Sequence, residues 1–151
     1  YVILNSPVAS AYSDRYLFYP YFRLNLDKIN KILSNFTGHH DFYAFKSTSD
    51  NPFSDCIIYY AKAKRETIEK REYIFIDIIG NRFLYNMIRI IIGDILNIVR
   101  NNLDSGIINT WLETKKRTIS PNKVSARGLF LQYVGYDNAD EYIKNLIKEG
   151  K

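Results

Sequence analysis

A chain of 151 residues, 46% of them hydrophobic, is long enough for one domain with a substantial core. The single cysteine, Cys56, excludes an internal disulfide, no Cys/His cluster has metal-ligand spacing, and no apolar run reaches the ~18–20 residues of a membrane span, the longest being broken by Arg89, Gly93 and Asp94. These features point to a reducing, intracellular setting, and the formal net charge of +5 admits a polyanion such as RNA as partner without requiring one.

The chain opens abruptly on strand-like Tyr1-Val2-Ile3-Leu4, as expected of a piece of a longer protein. Over 26–36 the apolar residues Leu26, Ile29, Leu33 and Phe36 recur at helical spacing, with Asp27 in the first turn and Gly38 placed as a C-terminal cap. Dense β-branched and aromatic residues predict strands over 55–62 and 72–79. The polar KAKRETIEKR between them reads as a hairpin connection, and its mixed charges favour a solvated tip over an RNA-gripping loop. A long helix is predicted over 83–100 and a shorter one over 104–116 that buries Ile107, Ile108, Trp111 and Leu112. GLFLQYVGY, residues 128–136, reads as a strand. Asn138 with Glu141 opens a last helix whose inner face carries Tyr142, Ile143, Leu146 and Ile147. The class is α+β around a largely antiparallel sheet packed by helices.

RFLYNMIRIIIGD, residues 82–94, sets an arginine among isoleucines. At 100° per residue, Arg82, Asn86, Arg89, Gly93, Asn97 and Arg100 share a narrow arc of the long helix, opposite Leu84, Met87, Ile88, Ile91, Ile95 and Val99. Either this stripe faces solvent, or Arg89 meets a carboxylate, since an unpaired buried charge costs several kcal/mol. Ile90 and Ile92 at its edges, and Gly93 one turn from Arg89, argue for a close neighbour.

Three segments together carry a family resemblance. GNRFLYNMIRIIIGD (80–94), FTGHHDFYAF (36–45) and SARGLFLQYVGY (125–136) resemble, in order and spacing, motifs of the TruA-type tRNA pseudouridine synthases. The resemblance covers nearly the whole chain and implies the pseudouridine synthase fold and the isomerisation of uridine to pseudouridine in tRNA, with no cofactor or metal. The family's nucleophile is an aspartate in an Arg-Thr-Asp-Gly segment, and the motif arginine that pairs with it matches Arg89. No such segment occurs here: Asp14, Asp41 and Asp50 all lack that context. The family's Tyr-x-Tyr segment aligns its second tyrosine with Tyr1. The chain is therefore expected to be the C-terminal portion (1–151) of the catalytic domain, inactive alone. Tyr85-Asn86 departs from the family pattern at a place often held by histidine, and His40 stands where the family varies.

The resemblance also makes Phe83, Leu84 and Asn86 candidate contacts of the uridine, a flipped base needing apolar walls, with core packing the equal alternative for Phe83 and Leu84. Arg82, Arg100, Lys123 and Arg127 are the candidate RNA contacts, beside Lys115, Lys116 and Arg117, any of which could equally be solvated surface. His39, His40 and Asp41 read as a helix-terminating structural motif rather than a metal or acid–base site. Implied partners are tRNA and a second copy of the full-length protein, with no membrane, in the cytoplasm, a nucleus or organelle being the other options. A non-catalytic RNA-binding or scaffold domain of the same fold is the rival reading.

Overall fold

The computed structural model describes residues 1–6, 17–49, 52–118 and 123–135, together with Glu141, Lys144, Asn145 and Lys148. Four antiparallel strands form one sheet in the order β1-β4-β3-β2. The strands are β1 (Val2–Leu4), β2 (Gly38–Asp41), β3 (Asp55–Ile68) and β4 (Arg71–Gly80), and the helices are α1 (Leu26–Leu33), α2 (Met87–Arg100) and α3 (Ile107–Thr114). The α+β expectation holds.

Asn25 caps α1, its side chain accepting from the Lys28 amide, and Ile29, Ile32 and Leu33 turn inward. The helix proper stops at Leu33 and tightens into a 3₁₀ turn, Ser34–Phe36. Gly38 is not its cap: with φ +115° it starts β2, a conformation that favours glycine. β2 covers β3 only as far as Ile58, and where β3 runs on uncovered, the Asn30 amide from α1 both accepts from Ala63 N–H (2.8 Å) and donates to Ala63 C=O (3.1 Å). That exchange replaces a neighbouring strand.

KAKRETIEKR is strand almost throughout. Only Glu69 and Lys70, at φ +48° and +65°, make the turn, a two-residue connection of the kind that matches strand twist. The ribbon's exposed faces let charged residues occupy strand positions, with Arg65 and Glu72 pairing across it at 3.4 Å.

α2 begins at Met87, not at 83, because Asn86 sits in the left-handed region (φ +60°), which asparagine tolerates and a helix interior does not. Arg82 therefore does not share the arc of Arg89. Nor is α2 two-faced: Ile90, Ile91, Ile92, Gly93, Asp94, Ile95, Leu96 and Ile98 are all buried, while Ile88 and Val99, expected inside, are half-buried. α3 buries Ile108, Trp111 and Leu112 and ends at Lys115 in the left-handed region; Ile107 is half-buried. Trp111 meets Phe45, which with Phe36 and Phe42 forms an aromatic cluster.

Residues 128–136 do not form the expected strand in their described part. Ala126–Gly128 is a 3₁₀ turn and 129–135 join no strand of the sheet; the outer edge of β1 carries instead a parallel bridge from Ile3 to Phe18. Of the last expected helix, Glu141, Lys144, Asn145 and Lys148 are helical and exposed. Asn138 and its inner face lie outside the described residues.

Candidate active-site arginine

Arg89 lies in the first turn of α2 and is half-buried. Its Nε donates to the Val124 carbonyl (2.8 Å) and its Nη1 to Asn86 Oδ1 (3.0 Å). Val124 N–H donates in return to the Arg89 carbonyl (3.3 Å). Asn86 is held too, its Nδ2 donating to Ser47 Oγ at 3.0 Å, beside a Ser47 N–H to Tyr85 C=O bond of the same length. The left-handed Asn86 thus both starts the helix and aims its amide at the arginine one turn on.

Both acceptors are neutral. Among the described residues no carboxylate pairs with Arg89. Asp41 belongs to Lys115 at 2.5 Å, while Asp14 and Asp50 lie outside the described residues. Burial acts to raise the Asp41 carboxyl, but hydrogen bonds from Lys115, Ser54 and the Tyr43 amide outweigh it and leave the group below its ordinary range.

The ring of Tyr1 lies in the same neighbourhood. Its hydroxyl donates to the Ser125 carbonyl (2.6 Å), and burial pushes the phenol far up, against a smaller opposing pull from the Arg89 charge. Gly128 makes this approach possible: a Cβ there would stand 2.5 Å from the Val2 carbonyl and 2.9 Å from the Tyr1 ring. Arg89 and the N-terminal strand are thereby bracketed by one segment, 124–128.

Phe83 is 43% exposed and its ring lies over Gly80, whereas Leu84 is in the hydrophobic core, its amide against Met87 Sδ. Of the four RNA-contact candidates, Arg82 turns away to donate twice to the Asp55 carbonyl (2.8 and 3.0 Å). Arg100 lies over the Phe22 ring, Lys123 adjoins Val124, and Arg127 sits in the 3₁₀ turn. Arg117 is no phosphate ligand: its Nη1 is 2.9 Å from Asp94 Oδ2, both side chains being almost fully buried. His40 is bonded to the Thr37 carbonyl, and no group of three His, Cys, Asp or Glu among the described residues is arranged for a metal.

Asp94 is what the sequence reading overlooked. Its signal was a lone carboxylate inside an apolar helix, which demands a cation from elsewhere in the chain. Burial pushes its pKa up to about 6 against the pull of Arg117, and its Oδ1 has no hydrogen-bond partner among the described residues.

The family model described as tRNA pseudouridine synthase matches residues 32–137, a span that includes α2, Arg89 and Gly128. The chain belongs to the TruA-type tRNA pseudouridine synthase family. It is 33% identical over 139 residues to tRNA pseudouridine synthase A 1 of Bacillus cereus, covering 91% of this chain and 55% of that protein. It is 32% identical to tRNA pseudouridine synthase A of Clostridium acetobutylicum (90% and 54%) and 33% identical to that of Borreliella afzelii (91% and 54%). The chain spans about half the length of these pseudouridine synthases. No helix among the described residues is long and apolar enough to cross a membrane.

Proposed function

We propose that the full-length protein carrying this chain isomerises uridine to pseudouridine in tRNA, in the cytoplasm, with Arg89 paired to an aspartate nucleophile supplied from outside these 151 residues. The observation that carries this reading is the state of Arg89: half-buried, fixed by two neutral oxygens, and without a carboxylate among the described residues. A guanidinium so placed has electrostatic capacity to spare, and an opposite charge within ~4–6 Å holds a carboxylate in its ionised, nucleophilic form.

The reaction breaks the N1–C1′ bond of uridine, turns the base and forms a C5–C1′ bond; C5 gives up its proton to solvent and the freed N1 takes one up, so the product is an isomer and no redox partner is called for. Phe83, half-exposed ahead of α2, serves as an apolar wall against the uracil, with Leu84 behind it in the core. Asn86 orients the arginine. Arg100, Lys123 and Arg127 serve as phosphate contacts, Arg82 being held by the Asp55 carbonyl instead, and a homodimer of the full-length protein belongs to the same reading.

The test is tritium release from tRNA labelled at uridine C5, using the purified full-length protein. Release with formation of pseudouridine is expected, and none is expected from this chain alone. A full-length protein that binds tRNA and releases no tritium would instead be a non-catalytic RNA-binding domain.

A further inference from the structure

Asn86 stands at the N-terminus of α2, where an asparagine ordinarily turns its side-chain oxygen back onto the amides of its own helix. Here it makes no such bond. Its Oδ1 accepts from Arg89 Nη1 at 3.0 Å, and its Nδ2 donates to Ser47 Oγ at 3.0 Å. This orientation is set from both ends. A guanidinium only donates, so the amide must present its oxygen to Arg89, and the nitrogen left over needs an acceptor, which the Ser47 hydroxyl supplies.

Ser47 is itself fixed from outside α2. It lies two residues after Phe45, which is fully buried against Phe36, Phe42 and Trp111, and its N–H donates to the Tyr85 carbonyl at 3.0 Å. A tie between side chains 39 residues apart thus joins the aromatic core to the amide that faces Arg89. On the other side of the guanidinium, Nε is held by the Val124 carbonyl at 2.8 Å. With Nε engaged, the side-on donor pair of Nε and Nη2 is closed to a carboxylate, and the end-on pair of Nη1 and Nη2 is the one left. Nη2 has no partner among the described residues.

We propose that Ser47 is a positioning residue for Arg89: by accepting from Asn86 Nδ2 it holds the Asn86 oxygen on Nη1 and so aims the end-on edge of the guanidinium at the aspartate. The proposal rests on the tRNA-modifying reading above. Ser47→Ala removes the hydroxyl and leaves the rest of the side chain. In the full-length protein it should lower kcat about tenfold at unchanged KM for tRNA, since the arginine loses its direction while the tRNA contacts stay. In an Arg89→Met background the same change should have no further effect on kcat, because Ser47 acts through Arg89. Ser34→Ala, which removes an exposed hydroxyl bonded to the Lys31 carbonyl, should leave kcat in place. An unchanged kcat in Ser47→Ala, or a loss of similar size that persists beside Arg89→Met, would overturn the positioning role. Should the wild-type protein release no tritium, the modifying reading fails, and crystal structures of the full-length wild-type and Ser47→Ala proteins still decide the role of Ser47: an Asn86 amide turned away from Nη1 in the variant supports it, and an amide oxygen still bonded to Nη1 overturns it.

Discussion

α2 carries two cations, Arg89 and Arg100, and one buried anion, Asp94; Arg89 and Asp94, five residues and so roughly 140° apart, are treated by the structure in opposite ways. Asp94 is sealed and meets Arg117, brought in from beyond α3 and resting over the Phe45 ring. Arg89 is half open and, among the described residues, meets the Val124 carbonyl and the Asn86 amide. A buried carboxylate without a counter-charge costs several kcal/mol, so the Asp94 pair is a condition of folding. An arginine held by neutral oxygens, with its charge uncompensated, is a condition of something else. One helix thus carries a buried ion pair and, five residues away, an arginine held by neutral oxygens.

The largest way to break this contrast is at Arg89. Arg89→Met keeps the side-chain volume and removes the charge, and in the full-length protein tritium release should fall by about 10²–10³, as when one preorganised charge-stabilising group is lost. The melting temperature of this chain should change little, since its arginine gives up two neutral hydrogen bonds and no ion pair.

Arg117→Met should do the reverse. It strands Asp94, and denaturant unfolding should show a loss of about 3–5 kcal/mol, whereas replacing both partners by Asp94→Leu with Arg117→Met should recover most of it.

A titration sharpens the same point. Burial raises the Asp94 pKa from 3.8 to about 6, so between those values the folded chain binds more protons than the unfolded one. Its contribution to stability is therefore fully present below pH ~4 and is lost as pH rises through ~6, a change of about 3 kcal/mol over that window. Urea unfolding at pH 4.5 and 7.5 measures it, and Asp94→Asn should remove the difference.

The smallest effect belongs to the Lys115 pair with Asp41, where the lysine is exposed. Lys115→Ala should shift the melting temperature less than any change above.

Local chemistry made much of this legible. β-branched runs marked β3 and β4, helical spacing marked α1 and α3, and the motif around Arg89 marked the family. What escaped depended on partners distant in sequence or on a single backbone angle. Nothing in FLYN announces that Asn86 turns left-handed and delays α2 by four residues, moving Arg82 off the arc of Arg89. The ribbon from Lys64 to Arg71 is polar enough to read as a loop, and only its pairing makes it strand. GLFLQYVGY has strand composition, but strand composition alone does not make a partner, and its described residues after the 3₁₀ turn pair with no strand of the sheet. The bond from Asp94 to Arg117 spans 23 residues, so no local pattern could show it.

The pairing assigned to Arg89 is tested most directly by the acid limb of the pH–rate profile for tRNA in the full-length protein. If Arg89 holds a nucleophilic aspartate ionised, removing its charge raises that carboxyl's pKa, and because activity needs the ionised form, the acid limb of Arg89→Met should move to higher pH by about 1–3 units. An acid limb left where the wild-type enzyme has it, whatever the fall in kcat, would contradict the pairing and return Arg89 to a positioning role among neutral oxygens.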